Sequence, residues 1–422
     1  MSADARPQPQ AAARAEVPLR RNRDFVLLQA GQALSTVGSE SATVAYTLLV
    51  LSLTGSPAKA GLTGFARLVP WVVFALPAGV VVDRWNRKRL MIVADVSRAA
   101  VLALLGAIVL TGHVPFAVVP LVAFVDGGMY VFFNIAEIGA VRSVVPPAQL
   151  QRAFASEQAR LSGVYLAGPP LGGLLFGVAR SLPFLADAVS YAFSTASLLA
   201  MRTPFQEERE EQAAVPMWAQ IREGLAWLWS HAFLRTCALL FVGTNFAFGA
   251  LELIVIVTAR RQGLGAAAIG GLLAVFGALA FVGSLAAPRL MRRASMRTVI
   301  LGNMWLALPL AAFLAKPSVF VLVASTVPLF FCNPSLNAMI IGYRVAIVPD
   351  RLQGRVNSVA RSLALLALPL GPVVAGLLLG AFSARVAVGA LVAFLALLAV
   401  VATLSRSIRA APEFEEVAAA AA

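Results

Sequence analysis

Apolar runs long enough to cross a lipid bilayer recur from about residue 25 to residue 405, each closed by a short polar turn. A helical span needs about 20 such residues. Lipid offers the backbone no hydrogen bonds, so each run must satisfy its own as a helix. The 422-residue chain is 59% hydrophobic and 13% charged, where a soluble domain carries about 25% charged residues. An all-α membrane protein embedded in a lipid bilayer is expected. Twelve spans fit, at 25–53, 58–82, 90–111, 115–140, 153–178, 182–201, 235–258, 266–290, 298–315, 318–343, 356–380 and 384–405. Gly55-Ser56-Pro57, Gly112-His113-Val114-Pro115, Pro146-Pro147 and Lys316-Pro317 mark turns between them.

The net charge of +14 reflects placement. Between the spans, 24 Lys and Arg fall on the side of the N-terminus and 6 on the other, while Arg67, Arg98, Arg160 and Arg361 lie within spans. Basic loops stay in the cytoplasm. Both termini are therefore expected to be cytoplasmic, in a multi-pass protein of the cell (inner) membrane. The same bias accounts for the charge without nucleic acid. Cys237 and Cys332 lie in apolar runs and there are two His, so neither a disulfide nor a metal site is expected. The chain has no nucleophile–base set and no Gly-x-x-x-x-Gly-Lys loop, which argues against an enzyme, a cofactor and ATP drive.

One turn is chemically odd. Pro77-Ala78-Gly79-Val80-Val81-Val82-Asp83-Arg84-Trp85-Asn86-Arg87-Lys88-Arg89-Leu90 ends one apolar run and opens the next. The basic residues suit a cytoplasmic turn and a helix C-terminus, but Asp83 faces the wrong end of the helix dipole unless a cation or another helix N-terminus meets it. The spacing Gly79-x-x-x-Asp83-Arg84-x-x-Arg87-Lys88 resembles the signature loop of the major facilitator superfamily, with Asn86 where that family has glycine. Asn also tolerates a left-handed turn. The resemblance implies a latch in which Asp83 meets Arg142 and the stretch Gly354–Ser358 to hold the inner side shut.

An internal repeat supports two pseudo-symmetric six-helix halves. Val145-Pro146-Pro147 and Val348-Pro349-Asp350 each precede a helix, in which Gly168-Pro169 matches Gly371-Pro372, Gly172-Gly173 matches Ala375-Gly376 and Gly177 matches Gly380, all at an offset of 203. Gly79 to Lys88-Arg89 is copied by Gly283 to Arg292-Arg293 at an offset of 204, with Ala287 in place of Asp83. Duplicated halves are a feature of transporters of this fold. The expected organisation is a tail at 1–22, halves at 23–201 and 235–405, a linker at 202–234 and a second tail at 406–422. The 1–22 tail is rich in Ala, Pro and Arg and lacks an apolar core, so it reads as disordered. In the linker, apolar Trp218, Ile221, Leu225, Leu228 and Trp229 recur at helical spacing. An amphipathic helix at the inner membrane surface is expected there.

Polar groups inside spans are costly and mark function. The first span carries Gln29, Gln32, Thr36, Glu40, Thr43 and Thr47 on one stripe, and the fourth carries Asp126, Tyr130, Asn134 and Glu137. The seventh carries Asn245, Gly249 and Glu252, and the tenth Asn333, Ser335 and Asn337. The superfamily resemblance makes these same four spans the cavity lining. Gln32, Thr36, Thr43, Tyr130, Asn134, Asn245, Glu252, Asn333 and Asn337 are thus substrate candidates, each with a packing hydrogen bond as the alternative. Glu40, Arg67, Asp126 and Glu137 are proton-coupling candidates. Asp187 is expected to face water near the outer end of the sixth span.

Arg67 needs a partner. At 1.5 Å per residue Glu40 lies about 22 Å, and Arg67 about 17 Å, from the inner face, while Asp126 is about 16 Å from the outer face. Glu40 is the expected partner, because a short loop joins the first two spans, and Asp126 is the rival.

The fifth span holds Gly168-Pro169-Pro170-Leu171-Gly172-Gly173. It resembles the Gly-Pro-x-x-Gly-Gly core of the motif that marks the superfamily's antiporters, with Val164 where a further glycine usually stands. Small residues let helices pack closely. With Leu182–Tyr191 and Val348–Arg351, the wording is similar to the drug:proton antiporter branch that includes bacterial macrolide and enterobactin exporters. The resemblance implies a monomeric, proton-coupled exporter of a small amphipathic molecule. The alternatives are an uptake permease or facilitator of the same fold, and a membrane receptor or scaffold that binds without flux.

Overall fold

The computed structural model describes residues 18–205 and 217–411. Six helices form the first half: α1 (Arg23–Thr54), α2 (Pro57–Arg84), α3 (Arg87–Leu110), α4 (Val118–Val144), α5 (Leu150–Val178) and α6 (Leu182–Ala200). After the short helix α7 (Met217–Ser230), the second half contains α8 (Ala232–Arg261), α9 (Ala266–Arg293), α10 (Met296–Trp305), α11 (Ala312–Ala315), α12 (Val319–Ile347), α13 (Asp350–Leu365), α14 (Leu370–Ala381) and α15 (Ala384–Leu404). A last turn, α16 (Arg406–Arg409), follows. Among the described residues eleven segments are long and apolar enough to cross a membrane, and the 28-residue α2 runs beside them. The tails at 1–17 and 412–422, and Glu207–Glu211 of the linker, lie outside the described residues.

The ends follow from capping chemistry. Asn22, Ser56, Asn86, Ser295 and Ser383 each accept a backbone N–H of the first turn of the helix they precede, which satisfies donors a helix start leaves open. Asn86 has φ −63, so the turn needs no left-handed residue there and Asn serves as an N-cap instead. Asp83 falls in the last turn of α2, which runs two residues past the expected end.

Two spans expected to be continuous are broken. Pro309 interrupts the ninth between α10 and α11, where Leu308–Ala311 forms a tighter 3-10 turn, and Pro369 separates α13 from α14. Proline lacks the N–H and crowds the carbonyl four residues back. Pro169 and Pro170, by contrast, lie inside an unbroken α5.

We call the face carrying the 85–86 turn the near face and that carrying the 55–56 turn the far face. The halves meet through two seams in their far portions, and glycine makes both possible. A Cβ on Gly173 of α5 would strike the Ala266 carbonyl of α9, and one on Gly270 would strike the Pro169 carbonyl. In the other seam a Cβ on Gly61 of α2 would strike the Pro372 carbonyl of α14, and one on Gly376 the Pro57 carbonyl. The repeat offset maps Gly173 onto Gly376, so one seam is the copy of the other. Toward the near face, Gly79 of α2 and Gly354 of α13 have nothing within 4 Å of where a Cβ would stand.

Near-face packing is local to each half. Lys88 Nζ donates to the Met201 carbonyl at 2.6 Å, and Arg87 Nη1 to the Phe205 carbonyl at 3.3 Å. Asp24 accepts from the backbone N–H of Arg202 and Thr203. The helix α7 docks on α13 through the Glu223–Arg355 ion pair and the close approach of Gly224 to the Arg355 backbone. It buries Leu228 and leaves Trp218 exposed.

Candidate functional site

Charge is concentrated inside the first half. Asp126 of α4 is fully buried. Its Oδ1 accepts from Arg98 Nε of α3 at 2.8 Å, and its Oδ2 lies 3.6 Å from Arg67 Nε of α2. Residue Ser39 of α1 ties both cations in place: its Oγ accepts from Arg98 Nη2 at 3.2 Å and its carbonyl from Arg67 Nη2 at 3.3 Å. The Ser39 Oγ also bonds Tyr191 OH of α6 at 2.7 Å. Arg98 lies over the Tyr191 and Tyr130 rings, 4.1 and 5.0 Å from their centroids. The local reason for the Arg67–Asp126 contact is Gly127. A Cβ there would collide with the Arg67 carbonyl, so α2 and α4 touch backbone to backbone at this level.

The expected pairing of Arg67 with Glu40 is thereby corrected, since the ion pair goes to Asp126. Depth did not separate the two acids, and the Gly127 approach does. Glu40 is half-buried and takes part in none of the described hydrogen bonds or ion pairs. It feels Arg67 electrostatically, and Glu252 of the second half as a like charge. Its Cβ fills the space that Gly168 leaves open, and Ser41 Oγ donates to the Gly168 carbonyl at 2.9 Å. Gly168 and Gly172 therefore seat α1, whereas Pro169 and Gly173 seat α9.

A second charged pair lies closer to the near face. Arg160 Nη2 of α5 donates to Glu137 Oε1 at 3.0 Å, and its Nη1 to Thr36 Oγ1 at 3.1 Å. Arg361 of α13 crosses between the halves, with Nη2 donating to Asn134 Oδ1 at 3.3 Å and its guanidinium 5.3 Å from the Trp71 ring centroid. It is exposed on the wall of the space between the halves.

Several cavity candidates hold hydrogen bonds within the protein. Gln32 is buried in the α1–α6 seam, its Nε2 donating to Ser194 Oγ at 3.2 Å. Thr43 donates to the Ser39 carbonyl, and Asn245 to the Phe241 carbonyl. Asn337 Nδ2 donates to Asn333 Oδ1 at 2.8 Å. These are packing bonds within helices or between neighbours. Tyr130 remains at the inner wall, edge-on to Trp71 at 5.9 Å. Asp187 is fully buried, contrary to the expectation that it faces water, because Gly38 of α1 leaves room for its carboxyl. Asp95, Arg98 and Tyr191 were not among the candidates. Asp95 and Arg98 stand three residues apart on one face of α3, a spacing that was there to be read.

The latch has a different standing. Arg142 is exposed, Arg84 is exposed, and Arg87 and Lys88 reach the 201–205 segment of their own half. The Asp83 side chain lies outside the described residues, and its expected pairing with Arg142 lies there with it.

Helices that span a membrane, two matched halves joined at glycine seams and a charged cluster beside the space between them are the features of a membrane transporter. The chain belongs to the Major Facilitator Superfamily, whose profile matches residues 29–304. It is 28% identical over 379 residues to "Multidrug efflux pump Tap" of Mycobacterium tuberculosis, covering 84% of this chain and 87% of that protein. It is 28% identical over 225 residues to "Macrolide efflux protein A" of Streptococcus pyogenes, covering 53% of this chain and 55% of that one. In fold it matches a bacterial homolog of the human lysosomal transporter Spinster in an inward-facing, unoccupied conformation. The TM-score is 0.75 at 17% identity, over 94% of this chain and 98% of the other.

Proposed function

We propose that this protein is a proton-coupled exporter of small amphipathic molecules, oriented with the near face in the cytoplasm. The basic bias of 24 residues to 6 supports that orientation. The space between the halves then opens inward. One observation carries the coupling: Asp126 is held between Arg98, which is buried in the first half, and Arg67, whose side chain is partly exposed. Protonating Asp126 removes the charge both guanidiniums hold. They are then free to take other partners, and a buried Arg has to find one. The relatives' names support efflux as the direction.

Transport is tested in everted membrane vesicles with ethidium and a macrolide as probes. An acid-inside gradient is expected to drive both probes into the lumen, and Asp126→Asn is expected to reduce that flux at least to the level without a gradient. Uptake in the opposite sense would favour a permease, and binding without flux a receptor. The family resemblance further assigns Asp83 to the inner latch. Asp83→Asn is expected to cripple flux while membrane insertion stays normal, and normal flux in that variant removes the latch.

A further inference from the structure

Two carboxyls in the first half take no part in the Asp126 arrangement. Asp95 of α3 is 1% exposed and Asp187 of α6 is 0% exposed. Neither oxygen of Asp95 has a hydrogen-bond partner. The hydroxyl that bears on Asp95 is Ser194 Oγ, which also accepts from Gln32 Nε2 at 3.2 Å. Asp187 Oδ1 accepts from Ser190 Oγ at 2.9 Å, and its Oδ2 has no partner. An ionised carboxylate without partners is among the costliest groups to bury.

The surrounding groups do not supply the missing charge. Asp187 faces Arg98 of α3, Asp126 of α4, Arg67 of α2, Tyr46 of α1 and, on its own helix, Tyr191. Asp95 faces Arg98 and, on α4, Glu137. Arg160 is taken by Glu137. Three aspartates thus share Arg98 and Arg67, and Asp126 already holds both. A metal cation beside Arg98 would be repelled by the guanidinium, whereas a proton on a carboxyl oxygen adds no separate ion.

We propose that Asp95 and Asp187 are two proton-binding carboxyls enclosed within the first half and linked through Arg98, which both of them face. Five residues into α6 from its far end, Asp187 lies about 8 Å deep. Arg98 is the switch that links this site to Asp126. In the step that links them the proton passes from Asp187 to Asp126: the O–H on Asp187 breaks and one forms on Asp126, while Arg98 turns from Asp126 Oδ1 to the Asp187 carboxylate. One O–H bond is made and one is lost, and the charge of the cluster does not change. The flux consequence rests on the proton-coupled reading above, but the binding site itself does not.

The test needs no substrate. Infrared difference spectra of the purified, unloaded protein, taken between alkaline and acidic buffers, report protonated carboxyls by their C=O stretch. The wild type is expected to show such a band in neutral buffer, exchanging slowly with deuterium. It should shrink in Asp187→Asn and in Asp95→Asn and be lost from the double variant. Ser190→Ala removes the hydrogen bond to Asp187 and should shift the band without abolishing it, which covers the case of a double variant that does not fold. Survival of the band in a folded double variant overturns the site, as does its absence from the wild type. A thermal shift on adding sodium that requires both aspartates makes it a sodium site instead. If the band behaves as expected and neither ethidium nor macrolide is transported, the efflux reading fails while the proton site stands.

Discussion

The two halves share a backbone plan and differ in what they bury. The first encloses Asp95, Arg98, Asp126, Glu137 and Asp187, whereas among the described residues the second buries no charged side chain. At the repeat offset of 203, Asp126, Glu137, Arg160 and Asp187 correspond to Leu329, Ile340, Leu363 and Ala390. The seam glycine Gly173 is kept as Gly376. Duplication has thus preserved the close backbone approach between the halves, while the buried charged side chains are confined to one copy among the described residues. The second half keeps its charges, Arg361 and Glu252 among them, out of its buried interior.

The largest expected effect comes from removing the shared cation. Arg98→Met leaves Asp126 with one distant partner and should cost about 3–5 kcal/mol, as for other broken buried pairs. Heating in detergent followed by size-exclusion chromatography reads this out. Asn303→Leu, at a buried polar site in the second half whose amide nitrogen has no partner, should change stability little. Equal losses from the two variants would erase the contrast between the halves.

The seams come next. Alanine at Gly173 or at Gly376 places a methyl against a carbonyl of the opposite half, and overpacking of this kind costs about 1–3 kcal/mol. Both variants should shift the protein away from the far-closed state to a similar degree. Alkylation of an Arg361→Cys reporter in a Cys237→Ser, Cys332→Ser background measures that shift as a slower rate. If only one seam matters, the symmetry of the hinge is broken. The smallest effect is expected from Arg355→Ala. The side chains of its ion pair with Glu223 are 30% and 40% open to solvent, and such pairs contribute about 1 kcal/mol or less.

Much of the architecture could be read from the sequence because length, apolarity and turn chemistry are local. The two broken spans could not. Pro309 and Pro369 break their helices while Pro169 and Pro170 do not, so residue type alone does not place a break. The candidate site was legible only in part for a related reason. Helical periodicity shows which residues share a face, as with Gln32 and Thr36, but not that Gln32 turns to Ser194 while Thr36 meets Arg160. Glu40 and Asp126 were both plausible for Arg67 by depth. The choice was made by Gly127, a residue with no side chain to attract notice. Asp187 was misjudged because its distance from the end of α6 says nothing of α1, which approaches closely at Gly38.

The seams have a kinetic side. Interdigitated side chains act as teeth: parting them means reordering rotamers and leaving voids until the new contact forms. At Gly61, Gly173, Gly270 and Gly376 the surfaces are bare backbone, closer to a plain bearing than to a gear. On the proposed cycle such a joint has little friction to overcome when it opens, which leaves the pace to the slower event on its flank, the exchange of partners among buried charges.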